Sequence, residues 1–303
     1  MSATATFASR AGCAAEIPPE MDAVAFARRC LRFEPDAKQQ EVLLAAGPRT
    51  IVNTSRMWGK STIAAVRALH WAWTKPQQTV ALVSARRADS VDLMRLTRKL
   101  ARELGAAGKA GPRLELGRGS QIMARAGGDG PVAGADLTIV DDAARVSDEA
   151  FAALRPAAAM GKGPLLLLST PRDHSGFFYE IWEQDRSDAW VKIQATAEEC
   201  VRLPEEFLKE ERKRLGEIPF WKTYMCNYDD EKVRPKIYAG WVDEPGGEFM
   251  DGPWGYEEEY WKDREMPEGH TLKKEWTARA EAKARAEAEA LAQAQAKNDE
   301  QDR

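Results

Sequence analysis

Thr54-Ser55-Arg56-Met57-Trp58-Gly59-Lys60-Ser61-Thr62 stands between an apolar run, RTIVN at 49–53, and a helical period that starts at Lys60. A turn leading straight into a helix aims backbone N–H groups and the positive helix end at one point, which is how a polyphosphate is held. There Lys60 reaches the β- and γ-phosphates and Ser61 holds Mg²⁺. Thr54 stands where the general G-x-x-x-x-G-K-[ST] pattern has its first glycine, so the loop is a variant of that pattern. About 80 residues on, Leu137-Thr138-Ile139-Val140-Asp141-Asp142 is an apolar run tipped by two carboxylates. Its first acid would orient the metal and its second would polarise an attacking water. A third run, Leu165 to Pro171, ends in Ser169 and Thr170, hydroxyls placed to sense a terminal phosphate and relay its loss to a moving part. Each alone has a bland reading, since G-K-S recurs by chance, strand-end aspartates cap loops, and LLLLSTP also reads as a core strand with a turn. Together and in this order they point to magnesium–ATP chemistry.

Such groups meet only if one sheet carries them. The runs TIV, VALV, LTIV and LLLL are apolar on both faces, as strands of a parallel sheet covered by helices must be. The expected order is RTIVN (49–53), a helix from Lys60 to Trp73, TVALVS (79–84), a helix from Asp89 to Leu104, QIMARA (121–126), DLTIVD (136–141), a helix from Asp148 to about Ala159, and PLLLLST (164–170). This predicts an α/β, three-layer αβα fold of the P-loop NTPase type with a mostly parallel central sheet, and ligand binding at the carboxyl ends of its strands. Residues 1–19, ending in Pro18-Pro19, read as a flexible leader and 20–197 as the ATPase core. LPEEFLKEERKRLG and FWKTYMCNYDDE predict a small helical subdomain over 198–232. An acidic, aromatic-rich appendage spans 233–271, and 272–303 is Ala/Glu/Lys-rich, a solvated helix or disordered tail without an apolar stripe.

The 44 basic and 48 acidic side chains leave a net charge of -4, so the global balance gives no argument for nucleic-acid binding. A local basic lining would serve, and Arg86, Arg87, Arg118 and Arg125 are candidates for DNA phosphates, although an exposed helix start explains the first two equally well. Four cysteines without a C-x-x-C pair indicate neither a zinc site nor a disulfide framework. His70, His174 and His270 show no ligand spacing, and Asp229, Asp230, Asp243 and Asp251 read as solvated surface, with no metal assigned. With no basic-then-apolar leader and no run of about 18 apolar residues, the expectation is a soluble, cytoplasmic protein with no membrane contact.

The segments PDAKQQEVL (35–43), SRMWGKST (55–62), VDDAARVSDEAFAALRP (140–156) and LLLLSTPRDHSGFFYEIWE (165–183) resemble, in order and spacing over about residues 33 to 230, the ATPase of bacteriophage terminase large subunits. The resemblance implies an ATP- and Mg²⁺-dependent motor that packages double-stranded DNA. It would act in the host cytoplasm as a homo-oligomeric ring once assembled, with a portal and a small terminase subunit as partners. By resemblance Gln39 contacts adenine, Arg56 acts on the γ-phosphate, and Ser55, Met57, Trp58, Gly59, Lys60, Ser61 and Thr62 cradle the nucleotide. Ser61 and Asp141 hold Mg²⁺, Asp142 takes the catalytic glutamate position, and Ser169 with Thr170 forms the coupling motif. The family usually has Glu where Asp142 stands, commonly Gln at Met57, and a Gly-Lys-like pair at Asp173 and His174. The shorter Asp142 retracts the base by one methylene, on a scale where about 1 Å of misplacement costs about 10²-fold. The residues after Glu231 are too few for the family's RNase H-like nuclease, so nuclease activity is not expected. Two other readings stand beside this one: a degenerate prophage remnant that binds nucleotide or partners without efficient hydrolysis, and a P-loop helicase, which lacks a second RecA-like half here.

Overall fold

The computed structural model describes residues 18–106, 110–160 and 163–228. The leader up to Ile17, the acidic appendage (233–271), the Ala/Glu/Lys-rich tail (272–303), Cys13, His270, Asp229, Asp230, Asp243 and Asp251 lie outside them. Two helices precede the sheet. In α1 (Ala23–Leu31), Asp22 caps the start by accepting from the amides of Val24 and Ala25, and one face, including Val24, Phe26, Ala27, Cys30 and Leu31, is buried. In α2 (Ala37–Leu44) a reciprocal capping box joins Asp36 and Gln39: the Gln39 amide donates to Asp36 Oδ1 at 2.8 Å and the Asp36 amide donates to Gln39 Oε1 at 3.1 Å.

The expected sheet is present, with its predicted strands close to the expected bounds: β1 (Arg49–Thr54), β2 (Thr79–Ser84), β4 (Gln121–Ala126), β5 (Leu137–Asp141) and β6 (Leu165–Ser169). Two further strands went unread in the sequence, the three-residue β3 (Arg113–Glu115) and β7 (Val191–Ala195). The spatial order is β3-β4-β2-β5-β6-β1-β7, and every pairing is parallel except β3 with β4. β5 and β6 are buried at every residue, as their unbroken apolar runs require, whereas β7 alternates and stands at an edge.

Helices cover both faces. On one side α3 (Lys60–Thr74), α4 (Arg87–Ala101) and α1 share a core with Val52, Leu82, Ile139 and Leu168. On the other, Phe151 and Leu154 of α5 (Asp148–Met160) and Phe177 and Phe178 of the short α6 (Phe177–Tyr179) pack on Ile51, Val83, Val140 and Leu167. Alternation along each strand sends neighbouring residues into these two cores. After β7, α7 (Glu205–Leu215) and α8 (Glu217–Met225) form a small cluster of their own around Phe220, Tyr224 and Ala197. No described helix is long and apolar enough to cross a membrane.

His70 joins α3 to the entry of α1. Its Nε2 lies 2.7 Å from the Met21 carbonyl oxygen, which can only accept, so Nε2 carries the proton and the buried, unpartnered Nδ1 does not. Burial, the largest cause, lowers its pKa from 6.5 to about 4. Because the unfolded chain binds this proton first, the contribution of His70 is complete above pH 6.5 and is lost as pH falls toward 4, by about 2–3 kcal/mol. The buried carboxyl of Asp141, raised to about 6, acts in the opposite sense over an overlapping range, so a variant is the proper comparison. His70→Gln, which keeps a donor toward Met21, is expected to lose less stability than wild type between pH 6.5 and 4.5 in urea unfolding. Parallel pH profiles would refute this.

Candidate functional site

The loop between β1 and α3 is fixed from three directions. At its entrance the Ser55 amide donates to the Ala195 carbonyl at 2.8 Å, and the Arg56 amide donates to the Thr223 carbonyl at 3.0 Å. These bonds tie it to β7 and α8. In its middle, Met57 and Gly59 both have positive φ, 63° and 103°. Gly59 is required there, because a Cβ would also meet Gln39 Nε2 at 3.1 Å. Trp58 contributes through its backbone: its side chain is fully buried in the core, and its carbonyl accepts from Gln39 Nε2 at 3.0 Å and from Arg202 Nη2. The loop then enters α3, whose Gly59 N-cap supplies no side-chain bond, leaving the first-turn amides of Lys60, Ser61 and Thr62 without intrahelical acceptors.

The three strand ends meet this loop. Lys60 Nζ donates to Thr170 Oγ1 at 2.9 Å and lies 3.8 Å from Asp142 Oδ1, while Ser61 Oγ donates to Asp141 Oδ2 at 2.6 Å. The sheet order accounts for this, since β6 lies between β1 and β5. Ser169 Oγ accepts from the Ala144 amide at 3.0 Å and donates to the Thr170 carbonyl at 3.1 Å, so the third strand end is bonded to the turn after the two acids. Asp142 adopts a left-handed backbone (φ 51°, ψ 46°), which brings its half-exposed carboxylate beside Lys60 while Asp141 points at Ser61.

The two carboxylates differ in environment. Asp141 is 6% exposed, and its Oδ1 has no hydrogen-bond partner. Burial pushes its pKa up to about 6, partly offset by the Ser61 hydrogen bond and the Lys60 charge. Among the described residues no group of three or more His, Cys, Asp and Glu could enclose a metal. A hydroxyl, one carboxylate with an open oxygen and the adjoining uncapped helix start would suit Mg²⁺, which takes one or two carboxylates and completes its octahedron with phosphate and water.

The other expected residues fall as follows. Gln39 is buried, with its carboxamide engaged by Asp36 and the Trp58 carbonyl. Arg56 is exposed, and its charge acts on Glu211 of α7. The carboxyl of Glu211 is held down at about 2, chiefly by hydrogen bonds from Arg214 and Tyr224. His174 contacts the Tyr228 carbonyl and packs edgewise on Tyr179 and Tyr228. The sequence reading missed Arg202. From the turn before α7 it donates to the Trp58 carbonyl, to Asp36 Oδ2 at 2.8 Å and to Gln39 Oε1 at 3.4 Å, joining three segments far apart in sequence. A lone arginine in a turn carries no motif, so only the fold identifies it.

A family model described as terminase large subunit, T4likevirus-type, N-terminal, matches residues 51–247. The ATPase domain of the Thermus phage P74-26 large terminase superposes with a TM-score of 0.58 at 17% identity, covering 69% of this chain and 100% of that domain. A second large terminase from a thermophilic bacteriophage, solved in complex with ADP, gives 0.52 at 12%, covering 64% and 53% of the two chains. The HK97 bacteriophage large terminase gives 0.52 at 16%, covering 72% and 51%. This chain thus spans about half the length of the ADP-bound and HK97 proteins, and at these identities the likeness is one of fold. No curated protein matches the sequence. Given the match over residues 51–247 and a sheet that carries the β1–α3 loop and the acid pair to one edge, the chain belongs to the terminase large-subunit family and carries its N-terminal domain.

Proposed function

We propose that this domain binds ATP with Mg²⁺, hydrolyses it, and couples turnover to movement of double-stranded DNA. The observation that carries this reading is the pair of contacts Lys60–Thr170 and Ser61–Asp141, which brings a phosphate loop, an acidic strand end and a hydroxyl strand end to one point. The ADP complex of the thermophilic-phage large terminase supports nucleotide as the ligand. In this reading the amides from Met57 to Thr62 and the Lys60 ammonium face the phosphates, and Ser61 with Asp141 hold the cation. Mg²⁺, when bound, supplies charge neutralisation across the β- and γ-phosphates. Asp142 orients the attacking water. Thr170 would lose or regain Lys60 as the phosphate comes and goes.

DNA would be met by basic side chains near the carboxyl edge of the sheet. Arg125 lies on β4, and Arg86, at the start of α4, forms a 2.9 Å ion pair with Asp89 that leaves it 65% exposed. Arg87 is also exposed, whereas Arg118, whose carbonyl accepts from the Gln77 amide just before β2, lies at the opposite, amino edge and falls outside this lining. A ring of copies with portal and small-subunit partners is the assembly this reading implies. The domain division 20–197 and 198–232 fits it, with α7 and α8 as the part that moves.

A second reading, nucleotide binding with slow turnover, is favoured by Asp142, whose short side chain already lies beside Lys60. The two separate in a phosphate-release assay with and without linear double-stranded DNA. Turnover stimulated by DNA and lost in Lys60→Ala, by about 10²-fold or more on the scale of removing a group that stabilises developing charge, supports the motor. Turnover that appears only in Asp142→Glu supports the slow reading. Nucleotide binding unchanged in Lys60→Ala would refute the phosphate loop itself.

Acid should weaken the cation site in a defined window. A carboxyl raised to about 6 is protonated below that pH and cannot ligate, so the Mg²⁺ concentration needed for nucleotide binding should climb about fivefold between pH 6 and 5. Asp141→Asn, titrated alongside, supplies the baseline from the nucleotide's own protonation. Identical slopes in the two proteins would show that Asp141 is not a ligand.

A further inference from the structure

Ser84, the last residue of β2, belongs to none of the motifs above. The parallel register sets it directly beside Asp141 of β5. Alternation fixes its face: Leu82 and Ile139 lie in the core under α3, Val83 and Val140 lie in the opposite core, so Ser84 and Asp141 return to the α3 side, where Ser61 meets Asp141. Ser84 is 1% exposed, and its Oγ has no hydrogen-bond partner. The Asp141 Oδ1 is likewise buried and unpartnered. Two such atoms on adjacent strands, about 4.8 Å apart in the backbone, are costly to leave open unless something polar joins them.

We propose that Ser84 is a positioning residue of the cation site: its hydroxyl and Asp141 Oδ1 together hold one water of the hydrated Mg²⁺ that accompanies nucleotide. This rests on the reading of Asp141 as a cation ligand. Mg²⁺ dehydrates reluctantly and keeps several waters, and a buried water needs two to four polar partners. No acidic or histidine cluster among the described residues competes for that part. Ser84 thereby extends the site by one strand beyond Asp141, away from the phosphate loop.

Magnesium titrations of ADP binding to the full chain, followed by calorimetry, test this. Ser84→Ala is expected to raise the Mg²⁺ concentration for half-maximal binding about tenfold, the scale on which losing a group that orients a metal's ligands is felt. Its thermal midpoint should not fall, because the change deletes an unpaired buried hydroxyl, so a weaker cation response cannot come from misfolding. Ser84→Thr, which keeps the hydroxyl, should return the requirement toward wild type. A Ser84→Ala requirement equal to wild type, or an equal loss in Ser84→Thr, overturns the assignment while leaving Asp141 as a ligand. ADP binding by wild type that ignores Mg²⁺ overturns the cation site and the role of Ser84 with it.

Discussion

The 2.6 Å hydrogen bond from Ser61 to Asp141 depends on the order of strands more than on either residue. Ser61 begins a helix that follows β1, and Asp141 ends β5, with β6 between them in the sheet. Parallel strands share one carboxyl edge, so all three chain ends emerge on the same side, and α3, packed across the sheet, delivers its N-terminus to that edge. The apolar filling that holds this arrangement, from Val52 and Ile139 to Leu168, is therefore a condition for the polar site. A register slip of one residue in β5 would turn Asp141 away from Ser61 and into the opposite core.

If the β1–α3 loop receives phosphate as proposed, its stiffness matters, since amides that have to be reoriented lose part of their interaction energy to ordering. Here stiffness has several sources. Trp58 is driven into the core, its carbonyl is held by Gln39 and Arg202, and the loop entrance is bonded to β7 and α8. Because Arg202 sits just before α7 and Thr223 lies within α8, part of the restraint on the loop comes from the helical pair and the turn leading into it. Displacement of α7 and α8 would act directly on the loop's geometry, and a change in the loop would act back on the helices, as any reciprocal coupling requires.

The elements legible in the sequence were those fixed by local pattern. Fully apolar runs marked β2, β5 and β6, and the G-K-S turn with its following helix marked the site, because burial on both faces and uncapped helix starts leave a signature in consecutive residues. β7 escaped since an edge strand such as VKIQA buries only alternate positions and needs no continuous run. β3 has three residues and exists only through pairing with β4. Arg202 and Ser84 escaped for a related reason: their significance lies in neighbours brought by the fold, over 160 residues away for Asp36 and over 50 for Asp141. The order of the chemical motifs was readable, but the engagement of Gln39 by Asp36 and Trp58 was not, because the capping box is a contest between local partners and a ligand that sequence alone does not decide.

Asp141 and Asp142 stand in two different environments within one dipeptide. In an extended strand successive side chains point to opposite faces, which would separate the acids across the sheet. The left-handed turn at Asp142, tolerated by aspartate better than by most residues, breaks that alternation and returns the second carboxylate to the Lys60 side. The first acid stays within the sheet, desolvated and raised to about 6, where pairing with a cation would relieve the cost of its charge. The second is 39% exposed between Lys60 at 3.8 Å and Arg145 at 4.0 Å, with access to water. Burial sets one acid against the Ser61 hydroxyl and exposure sets its neighbour to meet solvent, so lengthening the second side chain by a methylene changes reach toward water without disturbing the buried acid beside it.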